Sequence, residues 1–246
     1  MNITLDIETV PAQRPEVLEE IQQSKKDELD QAIASINPPG NYKKQETIDE
    51  WMANEAPKIR QGLIDAFESD VDQAYRKTGL DGAFGQVCVI GFTIEDDEPV
   101  TIAHMDEKIV LGQFTSQIAD LVKPSDLHMA RIIGHNVAAF DLRFLTQRYI
   151  VNGYRPHPII TRAARAKPWE DDKVFDTMVQ WSGVGNRVSL DKLCKALSIE
   201  SPKGGITGAT VWDAVKDGRL DEVAEYCAGD VRATREAWRR MTYQVR

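Results

Sequence analysis

MNITLDIETVP, residues 1–11, alternates apolar and polar side chains and then stops at a proline. Ile3, Leu5 and Ile7 fall on one face of a strand and Thr4, Asp6 and Glu8 on the other, because successive side chains of an extended chain point to opposite sides. Asp6 and Glu8 therefore point the same way from a segment that its apolar residues send into a core. A lone D-x-E also suits the solvated face of a strand, so the pair acquires meaning only from the rest of the chain.

After this strand the composition changes. From Arg14 to about Lys77 it is charged and helix-forming, in two stretches, residues 15–36 and 46–77, separated by Asn37-Pro38-Pro39-Gly40-Asn41. Pro57 is expected to kink or interrupt the second. These residues are expected to form a helical insertion of about 14–77 within one domain spanning residues 1–246. Two strands follow, Gln86 to Ile94 and Val100 to His104, joined by the acidic turn Asp96-Asp97-Glu98. A helix around Gly112 to Val122 precedes a short strand, Arg131 to Gly134. Ala138 to Val151 has the spacing of a helix, with Phe140, Phe144, Leu145 and Ile150 on its apolar side. Lys173 to Phe175 predicts a last short strand, and Ser189–Leu197, Thr210–Lys216 and Leu220–Met241 predict late helices. Strands mixed with covering helices give an α/β or α+β layered domain.

Composition bounds what such a domain does. At 246 residues with 42% hydrophobic and 28% charged residues, the chain buries a core without staples. It has no apolar run of membrane-spanning length and no signal-peptide pattern, so a cytoplasmic protein with no membrane partner is expected. Cys88, Cys194 and Cys227 are too scattered for a disulfide framework or a thiolate zinc site and read as buried apolar residues. A net charge of −9 argues against coating a duplex, yet is compatible with an enzyme that holds one chain end through divalent cations.

Acids recur at two further places where the pattern implies burial. In IIGHNVAAFDLRFL, Asp141 lies early in a helix, where it either complements the helix dipole or is free for another task if Asn136 caps the helix. In EYCAGDVRATREAW, Tyr226 and Asp230 are four apart on one helix face, and Gly229 beside them suits a close approach of another backbone or a substrate. A strand pair, an acid in a middle helix and one in a late helix offer four hard oxygen ligands: Asp6, Glu8, Asp141 and Asp230. Such a set favours two Mg²⁺ or Mn²⁺ ions, the usual device for phosphodiester hydrolysis. Bound cations would also offset the cost of burying the acids.

LDIET, HNVAAFD and YCAGD, in this order, resemble the three motifs of the DEDD superfamily of 3′-5′ exonucleases. The likeness is greatest to the predicted exonucleases related to the proofreading domain of family B DNA polymerases. It spans residues 3 to about 238, apart from the helical insertion. The resemblance implies a ribonuclease H-like mixed sheet flanked by helices. With Tyr226 four before Asp230 and Glu225, not histidine, five before it, it implies the tyrosine branch (DEDDy). Carried over, Asp6 bridges both ions, Glu8 and Asp230 complete the site for the attacking water, Asp141 helps hold the second ion, and Tyr226 orients the water. The product would be a nucleoside 5′-monophosphate released from the 3′ end of nucleic acid, with single-stranded DNA favoured on family likeness.

Thr9, His135, Asn136 and Lys203 are candidate substrate contacts, each with an equally ordinary structural reading. For His135 the structural role is the expected one, and for Asp176 either a structural role or one that supports the acids of the site from behind. Arg155, Arg162, Arg165 and Lys167 form a basic loop along which phosphates could track; Trp169 and Trp212 are candidate base-stacking residues better suited to core packing. Replication or repair proteins are candidate partners, and the oligomeric state is left open. The alternatives are a catalytically silent nucleic-acid-binding or scaffold protein on the same fold, or an exoribonuclease.

Overall fold

The computed structural model describes residues 1–201 and 205–245. Its centre is a five-stranded sheet made of β1 (Asn2–Val10), β2 (Gln86–Ile94), β3 (Val100–Ala103), β4 (Arg131–Gly134) and β5 (Val174–Asp176), in the order β3-β2-β1-β4-β5. β1 runs antiparallel to β2, and β2 to β3, while β4 and β5 join in parallel. The helices are α1 (Pro15–Ala34), α2 (Gln45–Asn54), α3 (Ala56–Lys77), α4 (Glu107–Leu121), α5 (Asp141–Val151), α6 (Pro158–Ala164), α7 (Thr177–Ser182), α8 (Leu190–Leu197), α9 (Val211–Lys216) and α10 (Leu220–Met241). This is a mixed α/β layer consistent with the ribonuclease H-like fold. No described helix is long and apolar enough to cross a membrane.

The alternation of β1 sorts the two faces of the sheet. Ile3, Leu5 and Ile7 enter one apolar cluster with Ile90 and Phe92 of β2, Phe114 of α4 and Leu142 and Leu145 of α5. The opposite face carries a second cluster in which Val10, Cys88 and Val89 meet Val211 of α9 and Val223 and Cys227 of α10. A single residue would reverse every side of a strand, so two dry faces fix its register.

Between β1 and β2 lie three helices, not two. Pro57 sits in the first turn of α3, where its missing N–H is harmless, so the chain breaks at Glu55 and restarts. α4 begins at Glu107, earlier than expected, because Asp106 caps it by accepting from Lys108 N–H at 2.9 Å. α5 begins later, at Asp141, and its cap position is Phe140, so Asn136 is not its cap. Asn136 instead takes a left-handed φ of 62°, and the chain turns through residues 137–140 before the helix starts. Ile150 does not join the apolar side of α5 and is 72% exposed. The stripe runs through Leu142, Leu145 and Tyr149, and Ile150 falls off it.

Two short helices, α6 and α7, escaped the sequence pattern because neither is long enough to show a period. Arg162 lies in α6 and donates to Ala130 O at 2.7 Å, so the expected basic loop is partly helical and one of its cations is engaged. Arg148, one turn after Phe144 and Leu145 and so on the same side of α5, is 4% exposed. Its guanidinium grips both oxygens of Glu107 at 2.8 and 2.7 Å, joining α5 to α4. All three cysteines are buried.

Candidate active site

On β1, Asp6 stands across from Gly91 of β2 and Glu8 from Val89. Glu8 is 8% exposed and Asp6 half-buried. α10 lies over this face, and Gly91 lets it come close: a Cβ there would stand 2.7 Å from Cys227 Sγ and 3.2 Å from Val231 Cγ2. The Cys227 thiol donates to Asp6 Oδ2 at 3.4 Å. One ligand atom each from Asp6, Glu8 and Cys227 lie within 4.8 Å of one another.

Asp141 reaches the same place from the other side. β4 pairs with β1 only along Asn2–Thr4, so the edge of β1 beyond Thr4 is open toward α5. Asp141, the first residue of α5 and almost fully buried, accepts from Ile7 N–H at 3.0 Å across that gap. The loop before it is held by Asp176 at the end of β5, which accepts from Asn136 N–H at 2.9 Å and Ala138 N–H at 3.1 Å. The same carboxylate caps α7 through Met178 and Val179 N–H. Asp176 thus has the structural one of its two expected roles. Asp230 comes from α10, hydrogen-bonded to the Tyr226 hydroxyl one turn earlier.

Burial and mutual repulsion dominate the electrostatics. Asp6 and Glu8 are held well above the usual carboxylate range, first by burial and then by the charges of Asp141, Asp230 and, for Asp6, Glu8. Burial also raises Asp141 to about 7 and Asp230 to about 6. Among the described residues, the neighbouring charges that act most strongly on Asp6, Glu8 and Asp141 are those of other acids. Four buried or half-buried acids gathered in this way are costly unless protonated or neutralised by a cation, and their oxygens suit a hard divalent ion. Cys227 is pushed far up by burial and by Asp6 and Glu8, so it serves as a protonated donor to Asp6 rather than a thiolate ligand.

Burial and the charges of Asp230, Glu8 and Asp6 hold the Tyr226 hydroxyl well above its ordinary value, so it keeps its proton. Among the proposed substrate contacts, Thr9 Oγ1–H donates to Gly79 O at 2.7 Å. His135 is bonded at both ring nitrogens, to Thr177 Oγ1 and Val188 O, each at 2.9 Å. Asn136 turns the chain and gives its N–H to Asp176, while Lys203 lies outside the described residues. The sequence reading missed Cys227 as a neighbour of Asp6. Its place directly after Tyr226, on a helix carrying Asp230, was the available signal.

Residues 80–245 match the family model described as a predicted 3′-5′ exonuclease related to the exonuclease domain of PolB. That span contains Asp141, Tyr226 and Asp230, whereas Asp6 and Glu8 precede it. No curated protein registers as a match. Among solved structures, the family B DNA polymerase from the hyperthermophilic archaeon Pyrobaculum calidifontis is similar, with a TM-score of 0.51 and 13% identity. The likeness covers 97% of this chain and 24% of the polymerase chain, and it is one of fold. With two thirds of its length matched, the chain belongs to the family of predicted 3′-5′ exonucleases related to the exonuclease domain of PolB.

Proposed function

We propose that residues 1–246 form a single metal-dependent 3′-5′ exonuclease domain of the DEDDy type, acting on single-stranded DNA by a two-metal mechanism and releasing nucleoside 5′-monophosphates. The observation that supports it is that Asp6, Glu8, Asp141 and Asp230, drawn from β1, α5 and α10, lie close enough for their charges to raise one another's carboxyl groups. Asp6 and Glu8 with Asp230 would hold one Mg²⁺ or Mn²⁺, and Asp6 with Asp141 the other. Such ions, when bound, make hydroxide accessible near neutral pH and offset charge on the leaving 3′-oxygen.

The chain's own groups do the positioning. Cys227 keeps Asp6 oriented through its S–H, and the Ile7 N–H does the same for Asp141. Tyr226, with its proton retained, orients the attacking water by hydrogen bonding and does not act as the base. Thr9, Asn136 and Lys203 remain proposed contacts to the terminal nucleotide, and His135 braces the loop that carries Asn136. Digestion of 3′-labelled and 5′-labelled single-stranded DNA and RNA, in Mg²⁺, Mn²⁺ or chelator, tests the proposal. The expected result is mononucleotide release from the 3′ end of DNA that chelator abolishes; metal-independent release, or none from any substrate, would end it.

A further inference from the structure

The three helices between β1 and β2 are long but thinly covered. Val17 is the only buried residue of α1, Ala56 and Val71 are those of α3, and α2 has none. A helix in water is held mainly by burying an apolar face, so these leave apolar surface to be matched. Between α1, α3 and α9 a groove of about 730 Å³ opens, floored by Leu18, Phe67, Val71, Tyr75 and Trp212. Its width is fixed where Arg76 donates to both oxygens of Asp213 at 3.0 and 2.8 Å and the Tyr75 and Trp212 rings meet edge to face at 6.2 Å. On α3 the floor continues past the groove: Ile64 shares a face with Val71 and Tyr75 at helical spacing and is 45% exposed. The rise from Ile64 to Tyr75 is about 17 Å, or about three turns.

The rim of the groove is acidic. Glu19 and Glu68 stand on it, exposed and in no ion pair among the described residues, whereas Asp72 is held by Arg76 and Lys216 by Asp213. Lys26 is the only rim cation outside an ion pair among the described residues. Around the groove, α1, α2 and α3 hold thirteen Asp and Glu against six Lys and Arg. Such a surface repels phosphates, and it repels a second copy of a chain whose net charge is −9. The walls are helical and spend their amides internally, so they offer no edge to an extended strand.

We propose that the groove takes one helix of a partner protein, about three turns long, apolar along one side and with Lys or Arg flanking that side. Its apolar residues fill the floor from Leu18 to Trp212 and cover Ile64, and its cations meet Glu19 and Glu68. Trp212 borders both this groove and a smaller hollow that includes Thr9, so the docked helix lies beside the strand that carries Asp6 and Glu8. Docking of this kind needs no hydrolysis and stands apart from the exonuclease reading.

The probe is a fluorescein-labelled peptide of about 14 residues with Leu and Lys at helical spacing, its binding to the full chain read by anisotropy. A Leu/Glu peptide of the same spacing and a scrambled Leu/Lys peptide are the comparisons. The ordered Leu/Lys peptide should bind about tenfold more tightly than either. Glu19→Lys together with Glu68→Lys changes two exposed, unpaired side chains and so spares the fold. It should weaken the Leu/Lys peptide about tenfold and turn the preference to the Leu/Glu peptide. Ile64→Ser, also at an exposed position, should weaken the Leu/Lys peptide severalfold. Equal binding of ordered and scrambled peptides, or an affinity indifferent to the charge reversal, would overturn the partner helix. So would a dimer in sedimentation that the reversal dissociates, or displacement of the peptide in chelator by an equimolar single-stranded oligonucleotide, which give the groove to a second copy or to nucleic acid.

Discussion

Replacing Asp141 by Asn should stabilise the metal-free protein while disabling it. Asp141 is 3% exposed, and burial raises its carboxyl from 3.8 to about 7. An acid whose pKa is higher folded than unfolded binds its proton more tightly in the folded state, so stability falls as pH rises from about 4 to about 7 and stays lost above that. Three units correspond to about 4 kcal/mol at pH 8. Asn retains the oxygen that accepts from Ile7 N–H and carries no charge to repel Asp230. Allowing for relaxation of the neighbours, Asp141→Asn should gain about 2–4 kcal/mol at pH 8 in chelator, a rise of roughly 5–15 °C in Tm for a domain of this size. Thermal unfolding in chelator at pH 8, 5 and 4 measures it. The gap should shrink to about two fifths at pH 5 and nearly close at pH 4, and Mn²⁺ at pH 8 should stabilise the wild type more than the variant. A variant less stable than wild type at pH 8, or a gap indifferent to pH, would refute the electrostatic reasoning.

Asp6→Ala and Asp230→Ala should each fold, shown by an unchanged circular dichroism spectrum, and release no detectable nucleotide in Mg²⁺; comparable release by both would remove the metal assignment. Tyr226→Phe should lower kcat on the order of tenfold to a hundredfold with little change in the Mn²⁺ concentration needed for half activity, because it removes a hydrogen bond and no ligand. Arg148→Met leaves Glu107 buried beside Val87 N–H and Asn152 Nδ2 but without its cation, and should cost about 3–5 kcal/mol in urea unfolding. Gly91→Ala drives a methyl against Cys227 Sγ and should cost about 1–3 kcal/mol while displacing Asp230. Its activity should therefore fall further than its stability alone explains.

Much of this architecture is local and was readable along the chain. The alternation of residues 3–8 sets the faces of β1, and β2, β4 and α10 match their apolar or helical spacing residue for residue. Turns and caps were less legible because their partners are distant in sequence. Asp176 intercepts the amides of Asn136 and Ala138 from forty and thirty-eight residues away, and that contact, not a local propensity, sets where α5 begins.

What residue order alone determined is which side chains are acids, which strand face carries two of them, and that Tyr226 and Asp230 share a helix face. The tertiary structure decided that these groups meet. Gly91 admits α10 to within contact of β1, the short pairing of β4 leaves Ile7 N–H open for Asp141, and Cys227 comes to rest on Asp6. Close approach across the sheet depends on the volume of residues far apart in the chain, and only packing expresses that dependence.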